Sequence, residues 1–221
     1  VGQNVANGAA LRVERTRKAI LAAAGKLFLR DSFLRTSMDE VAETASVSKQ
    51  TVYAHFASKE ALFLEFVHAL VGAAGDEIRQ RLAGPETGRP LPDYLADFAR
   101  HQLAIVLTPE LMQLRRLAIA EAGRFPDLGR MLHRMGPARS IELLQAAFRH
   151  YAALGQLQLD DPEEAASNFN WLVMGGPVND AMMLGPEAIP PAARLEAHAV
   201  ECVRIFLAAY SPPKGLTPGS G

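Results

Sequence analysis

The chain has 221 residues, 49% hydrophobic and 21% charged, with a mean hydropathy of +0.03, a foldable composition that excludes wholesale disorder. Its apolar runs are all broken by a charge, a Pro or a Gly, so no transmembrane helix of ~18 or more apolar residues is expected, and Val1–Leu11 lacks the pattern of a signal peptide. The single cysteine, Cys202, excludes an intrachain disulfide and a multi-cysteine zinc site and suits a reducing cytosol.

The net charge is −1, but it is not evenly spread. Residues 1–60 carry nine basic and six acidic side chains, and residues 61–221 carry fourteen and eighteen. A basic end on a slightly acidic body fits an anionic partner at the N-terminal end.

Residues 1–11 are rich in Gly, Asn and Ala without a period, and are expected to form a disordered arm. From Val13 to Arg30, Ile20, Ala24, Leu27 and Phe28 recur at helical spacing. Ser37-Met38-Asp39-Glu40 matches a capping box that opens a short helix, Met38 to Thr44. After Ala45-Ser46-Val47, Ser48 caps a second short helix, Lys49 to Phe56. Ser58 caps a long one to about Leu82, with Leu62, Phe63, Phe66 and Val67 on one face. Gly84–Pro92 is expected to be a loop. Helical patterns return at Asp93–Leu107. Thr108-Pro109-Glu110 and Asp161-Pro162-Glu163-Glu164 are helix starts, each with a cap, a Pro at the first position and an early acid. The first runs to about Ala122 and the second to about Leu184, with a disturbance at Gly175-Gly176-Pro177. Between them a helical stretch from Pro126 to Leu154 is kinked or broken at Gly136-Pro137. Pro190-Pro191 opens a last helix to Tyr210, and Ser211–Gly221 is expected to be a disordered tail. The fold class is all-α with about nine helices.

Met38–Thr44 and Lys49–Phe56, joined by a three- to four-residue turn, have the form of a helix-turn-helix. Val41, Ala42, Val47, Val52 and Phe56 can pack inward. Lys49, Gln50, Thr51, Tyr53 and His55 are left outside, and they are of types that reach base edges and phosphates. An ordinary helical hairpin is the bland alternative.

Residues 15–65 contain R-x-x-I-L-x-A-A, T-S-M-D-E-V-A, V-S-K-x-T-V-Y-x-H-F and S-K-E-A-L-F. This run resembles the DNA-binding domain of TetR-family transcriptional regulators. RFPDLGRML and WLVMGGPVNDAMML resemble the AefR-like branch of that family. The resemblance implies a three-helix DNA-binding head at 12–57 and a ligand-binding and dimerisation body at 58–210. It places Thr36 and Lys59 at phosphate contacts and Ser48, Lys49, Gln50 and Thr51 at the start of the recognition helix. Tyr53 and His55 fall on the phosphate- and base-facing side. Gln50 can pair with adenine N6 and N7. It further implies a homodimer joined through the helices near 162–184 and 191–210, a double-stranded palindromic DNA operator and release by a small apolar effector. Movement of the helix Lys59–Leu82 would carry that response.

The body is rich in Met and aromatic side chains. Core filling explains any one of them; together they suit an adaptable apolar pocket. Candidate effector residues are Phe98, His101, Met135, Phe148, Asn168, Trp171 and Met174, with Asn170 as a further inward polar group. The histidines are dispersed, so no metal site is expected, and no cofactor is implied. Cys202 reads as a packed thiol. No nucleotide-binding, zincin or nucleophile-elbow motif appears, so an enzyme is disfavoured. A small-molecule-binding protein without regulatory DNA contact is the other alternative. The expected setting is the cytoplasm, away from membranes.

Overall fold

The computed structural model of the protein describes residues 2–81 and 88–213. Among them are ten α-helices, one short 3-10 helix and no strand. The helices are α1 (Gly2–Arg35), α2 (Met38–Thr44), α3 (Lys49–His55), α4 (Lys59–Arg81), α5 (Leu91–Val106), α6 (Pro109–Ala120), α7 (Pro126–Met135), α8 (Pro137–Ala153), α9 (Pro162–Leu184) and α10 (Ala192–Tyr210). Residues 82–87, which include 84–87 of the expected loop, and 214–221 of the expected tail lie outside the described residues, as does Val1 of the expected arm.

The helix starts follow their caps. Ser37 Oγ accepts the Glu40 N–H at 3.2 Å, while Glu40 Oε2 accepts the Ser37 N–H at 2.8 Å, so the capping box is complete. Asp161 Oδ1 accepts from Glu163 N–H at 2.8 Å ahead of Pro162. Thr108 Oγ1 accepts from Leu111 N–H at 3.3 Å ahead of Pro109.

One feature departs from expectation, and at two further places the structure decides between a kink, a break and a continuous helix. Residues 2–11 are helical and belong to α1 rather than to a disordered arm. The stretch holds Ala6, Ala9 and Ala10, and extending an existing helix needs no new nucleus. The stretch from Pro126 is two helices, divided at Gly136 (φ −104°, ψ −101°), because Pro137 disfavours helical backbone at the residue before it. That division is why one more helix is present than the sequence pattern resolves. Conversely, α9 runs on through Gly175-Gly176-Pro177. Pro177 cannot donate to the carbonyl four residues back. That carbonyl, of Val173, instead accepts from His198 Nε2 of α10 at 2.8 Å, so the bond lost to proline is replaced from a neighbouring helix.

The chain forms two compact units, Val1–Gly72 with Gln113–Met131, and Ala73–Met112 with Leu132–Gly221. The division falls inside α4 rather than at the expected residue 57. The reason is an aromatic cluster in the first unit. Phe28 and Phe33 meet Phe63 of α4 at ring-centroid separations of 5.1 and 5.0 Å. Phe125, which follows α6, meets Phe33 at 4.9 Å and Phe63 at 5.4 Å. Gly25 lets α1 approach α4, since a Cβ there would lie 2.5 Å from the Phe66 ring. The second unit has one apolar core drawn from α5, α8, α9 and α10, including Phe98, Phe148, Phe169 and Phe206.

Candidate nucleic-acid interface

The helix-turn-helix is built from its caps outward. Ser48 caps α3 by accepting the Thr51 N–H at 3.1 Å, and its hydroxyl shares a 2.8 Å hydrogen bond with Thr51 Oγ1. Ser46 (φ 55°) makes the left-handed turn between α2 and α3. Val41, Ala42, Val52 and Phe56 are buried. Val47 is half-buried, and Ser48, Lys49, Gln50 and Tyr53 are exposed. Thr51 and His55 are half-buried. The first turn of α3 therefore offers a hydroxyl, an ammonium and an amide to solvent, with the Tyr53 hydroxyl one turn on. Those are the donor and acceptor types that double-stranded DNA requires of a helix in its major groove.

Lys49 is paired before any partner arrives. Its Nζ lies 2.8 Å from Asp39 Oδ1 of α2. The hydrogen bond and charge of Asp39 raise the Lys49 pKa above its ordinary value. Both side chains are exposed. An exposed ion pair is weak, so a phosphate can take the place of Asp39. Hydrogen bonds from the Ser37 backbone and hydroxyl hold the Glu40 carboxyl below the usual range.

Two expected phosphate contacts are turned inward. Thr36 is 2% exposed, and its hydroxyl donates to the Ser32 carbonyl at 2.9 Å. Lys59 Nζ donates to the carbonyls of Phe33 at 3.0 Å and Thr36 at 2.8 Å, and sits 4.5 Å from the centre of the Phe33 ring. The cause is the end of α1. Ser32 (φ 73°, ψ 167°) breaks the helical backbone, Phe33 turns into the aromatic cluster, and carbonyls left without helical partners are capped by the ammonium. Thr36 and Lys59 hold the head together in this conformation.

Arg17 of α1 is a positioning residue that sequence reasoning missed. It donates to the His55 carbonyl at the end of α3 at 3.1 Å, pairs with Glu65 of α4 and lies 4.5 Å over the Phe56 ring. It thus ties the recognition helix to α1 and α4. The signal for it was its place one turn before Ile20 on an amphipathic helix, which alone reads as an ordinary surface cation.

In the second unit, Phe98 and Phe148 are fully buried and Met174 is 4% exposed, all in one core. His101 and Met135 are half-buried. Asn168 and Trp171 are corrected from pocket lining to surface. Asn168 is exposed and its Nδ2 donates to Tyr210 Oη at 2.9 Å; Trp171 is 49% exposed. On α9 these two share a face with Gly175, opposite the buried Phe169, Asn170, Val173 and Met174. Burial raises the Cys202 thiol to about 11, and its Sγ donates to the Leu172 carbonyl at 3.4 Å, as a packed thiol would.

One buried polar pair emerges only in three dimensions. Gln102 of α5 and Asn170 of α9 are 2% and 1% exposed, and Gln102 Nε2 donates to Asn170 Oδ1 at 2.7 Å. Gln102 Oε1 and Asn170 Nδ2 have no partner. Each such group costs about 1–3 kcal/mol if left so. The sequence marks Asn170 as an inward polar residue but gives no such signal for Gln102, which stands one turn after Phe98 on the apolar face of α5. The Tyr94 hydroxyl is also buried without a partner, and burial raises its pKa.

Comparison with known proteins fits this geometry. A family model described as bacterial regulatory proteins, tetR family, matches residues 20–66. A second, the AefR-like transcriptional repressor C-terminal domain, matches residues 93–212. The chain belongs to the TetR family. An HTH-type transcriptional regulator of Mycobacterium tuberculosis is 30% identical to this TetR-family chain over 74% of each. The transcriptional repressor NicS of Pseudomonas putida is 33% identical over 47% of the chain, and the aligned stretch is 52% of NicS, about half its length. Among solved structures, a TetR-family regulator from Mesorhizobium loti is 35% identical with a TM-score of 0.83, covering 91% of this chain and 99% of that one. The flavonoid-responsive regulator FrrA is 33% identical with a TM-score of 0.72, covering 90% and 98%. As a TetR-family member the chain carries the helix-turn-helix domain of bacterial transcriptional regulators. No helix among the described residues is long and apolar enough to cross a membrane.

Proposed function

We propose that this TetR-family regulator is a cytoplasmic, dimeric repressor that binds a palindromic operator and leaves it when a small organic effector binds the second unit. The observation that carries the proposal is the capped first turn of α3, with Ser48, Lys49 and Gln50 exposed and Tyr53 exposed one turn on, while Thr36 and Lys59 bond to carbonyls of the chain itself. In this reading Gln50 reads a base, while Ser48, Lys49, Thr51, Tyr53 and His55 fix the helix on the backbone. Dimerisation is supported by an apolar face on the last two helices. Trp171, Met183, Leu184, Val200 and Ile205 are 41–78% exposed, and Cβ positions at Gly175 and Gly176 meet open space. Two heads related by a two-fold axis would engage half-sites about one helical turn or a multiple of it apart.

The small-molecule response is supported by the flavonoid-responsive relative FrrA and by the buried aromatic and Met side chains of the second unit. The α4 helix belongs to both units as one continuous helix, and Arg17 and Lys59 clamp its first half to α1 and α3. An effector that prefers a displaced α4 would lower operator affinity by linkage.

Selection of bound DNA from a random pool tests the reading. The expected product is a palindrome bound with a stoichiometry of two chains per site. Recovery of no sequence preference would overturn it. Trp171→Ala should shift the protein toward monomer in sedimentation, and a fully dimeric variant would remove α9 from the interface.

A further inference from the structure

We infer that the Gln102–Asn170 pair is the polar edge of the effector site, and that it selects a neutral ligand carrying a hydrogen-bond donor next to an acceptor on an apolar frame. The inference rests on the reading of the second unit as effector-binding and adds the chemistry of what binds there.

The argument begins from the inventory of the two amides. Each offers two N–H donors and a carbonyl acceptor. One bond, Gln102 Nε2 to Asn170 Oδ1 at 2.7 Å, joins them. An acceptor, Gln102 Oε1, and a donor, Asn170 Nδ2, remain buried without partners. Exchanging oxygen and nitrogen on both amides leaves the same inventory, one nitrogen and one oxygen atom without a partner. Exchanging only one would set like against like. The free atoms each lie within about 2.3 Å of an atom in the existing bond, so they are at most roughly 7 Å apart. A single compact group can reach both.

The surroundings define the rest of the ligand. Phe98 and Leu103 on α5 and Val173 and Met174 on α9 are buried in the same core. No charged side chain among the described residues of this unit is buried, so an ionised ligand would find no buried counter-charge. The complement is therefore a lactam or a comparable uncharged donor–acceptor edge on an aromatic or aliphatic ring system. A site whose buried hydrogen-bonding groups await such an edge rejects analogues that lack it, because the analogue leaves them unpaired.

The test uses the full-length chain and three ring systems of nearly equal shape. Quinolin-2-one has an N–H beside its carbonyl. N-methylquinolin-2-one and coumarin keep the carbonyl and lose the donor. Binding is followed by titration calorimetry. Quinolin-2-one is expected to bind at least tenfold more tightly than the other two. In Gln102→Leu and in Asn170→Leu the three affinities should converge, whereas Tyr94→Phe should keep the wild-type order. If a leucine variant does not fold, the order of the three compounds on the wild type still decides. Equal binding of all three, no binding of any, or a preference that survives in both leucine variants would overturn the inference. DNA binding by the unliganded protein is measured on the same samples. A protein that holds its selected DNA while ignoring the donor edge sinks this inference alone. One that binds no DNA sinks the regulator reading whatever the three compounds do.

Discussion

Replacing Lys59 by methionine separates a structural lysine from a DNA-binding one. Methionine keeps the apolar stem and removes the ammonium. That ammonium donates to two carbonyls at 3.0 and 2.8 Å and lies 4.5 Å from the Phe33 ring centre. A hydrogen bond from a charged donor contributes about 1.5–3 kcal/mol when well buried. Lys59 is half-buried, so solvent screening reduces each, and about 2–3 kcal/mol for the whole clamp is a fair expectation. For a chain of this length that corresponds to roughly 5–10 °C in melting temperature. The assay pairs a thermal melt with the dependence of DNA affinity on salt. If Lys59 caps the end of α1, the melt falls and the slope of log K against log salt is unchanged. If it contacts phosphate, the slope should shrink by about one per half-site. A full-strength melt with a reduced slope would refute the clamp and restore the phosphate role.

Gln50→Ala should lose discrimination at one position of each half-site, worth roughly 1–3 kcal/mol against the wrong base, while Tyr53→Phe weakens all sites alike; identical base preferences for Gln50→Ala and wild type in a pool selection would end the base-reading role. Because the folded Glu40 carboxyl sits below its ordinary value of 4.5, its stabilisation of α2 is present above that value and disappears as pH falls through the folded one; Glu40→Gln should therefore flatten the acid limb of a stability–pH curve, and an unaltered limb would deny the capping box that role. His198→Leu should destabilise by about 1–3 kcal/mol, since the Val173 carbonyl loses its acceptor role, and by less when combined with Pro177→Ala, which restores a backbone donor; additive losses in denaturant melts would break the link between the two residues.

Local signals in the sequence were strong and the structure follows them. The serine at 37 with Glu40, Ser48, Thr108-Pro109 and Asp161-Pro162 all mark helix starts through contacts within four residues, so spacing alone reveals them. The outward set on α3 was legible for the same reason, since Val52 and Phe56 take the inner face of so short a helix. What spacing could not show was where a polar side chain finds its partner. The resemblance places Lys59 and Thr36 at phosphates, and only the turn at Ser32 brings carbonyls of the chain itself within their reach. Gln102 and Asn170 stand 68 residues apart, and no periodicity links them. Trp171 carries a large apolar ring, which suggests burial, yet the small residues at Gly175 and Gly176 share its exposed face. Helical continuity was underestimated at residues 2–11, where an existing helix extends, and the disturbance expected at Pro177 is bridged by a neighbouring helix.

The passage of residues 113–131 back into the first unit has a bearing on how such a protein can be cut or recombined. Phe125 packs on Phe33 and Phe63, and Leu114, Leu117 and Leu128 are buried in the same stretch. A fragment ending at residue 72 would bare that aromatic surface to water. A chimaera that transplants only the N-terminal segment onto a foreign sensor would inherit a mismatched patch at Phe33. Grafting this head intact requires two segments, 1–72 and 113–131, to travel together, with junctions after residues 72, 112 and 131, which makes its inheritance a three-crossover event rather than a one-crossover event.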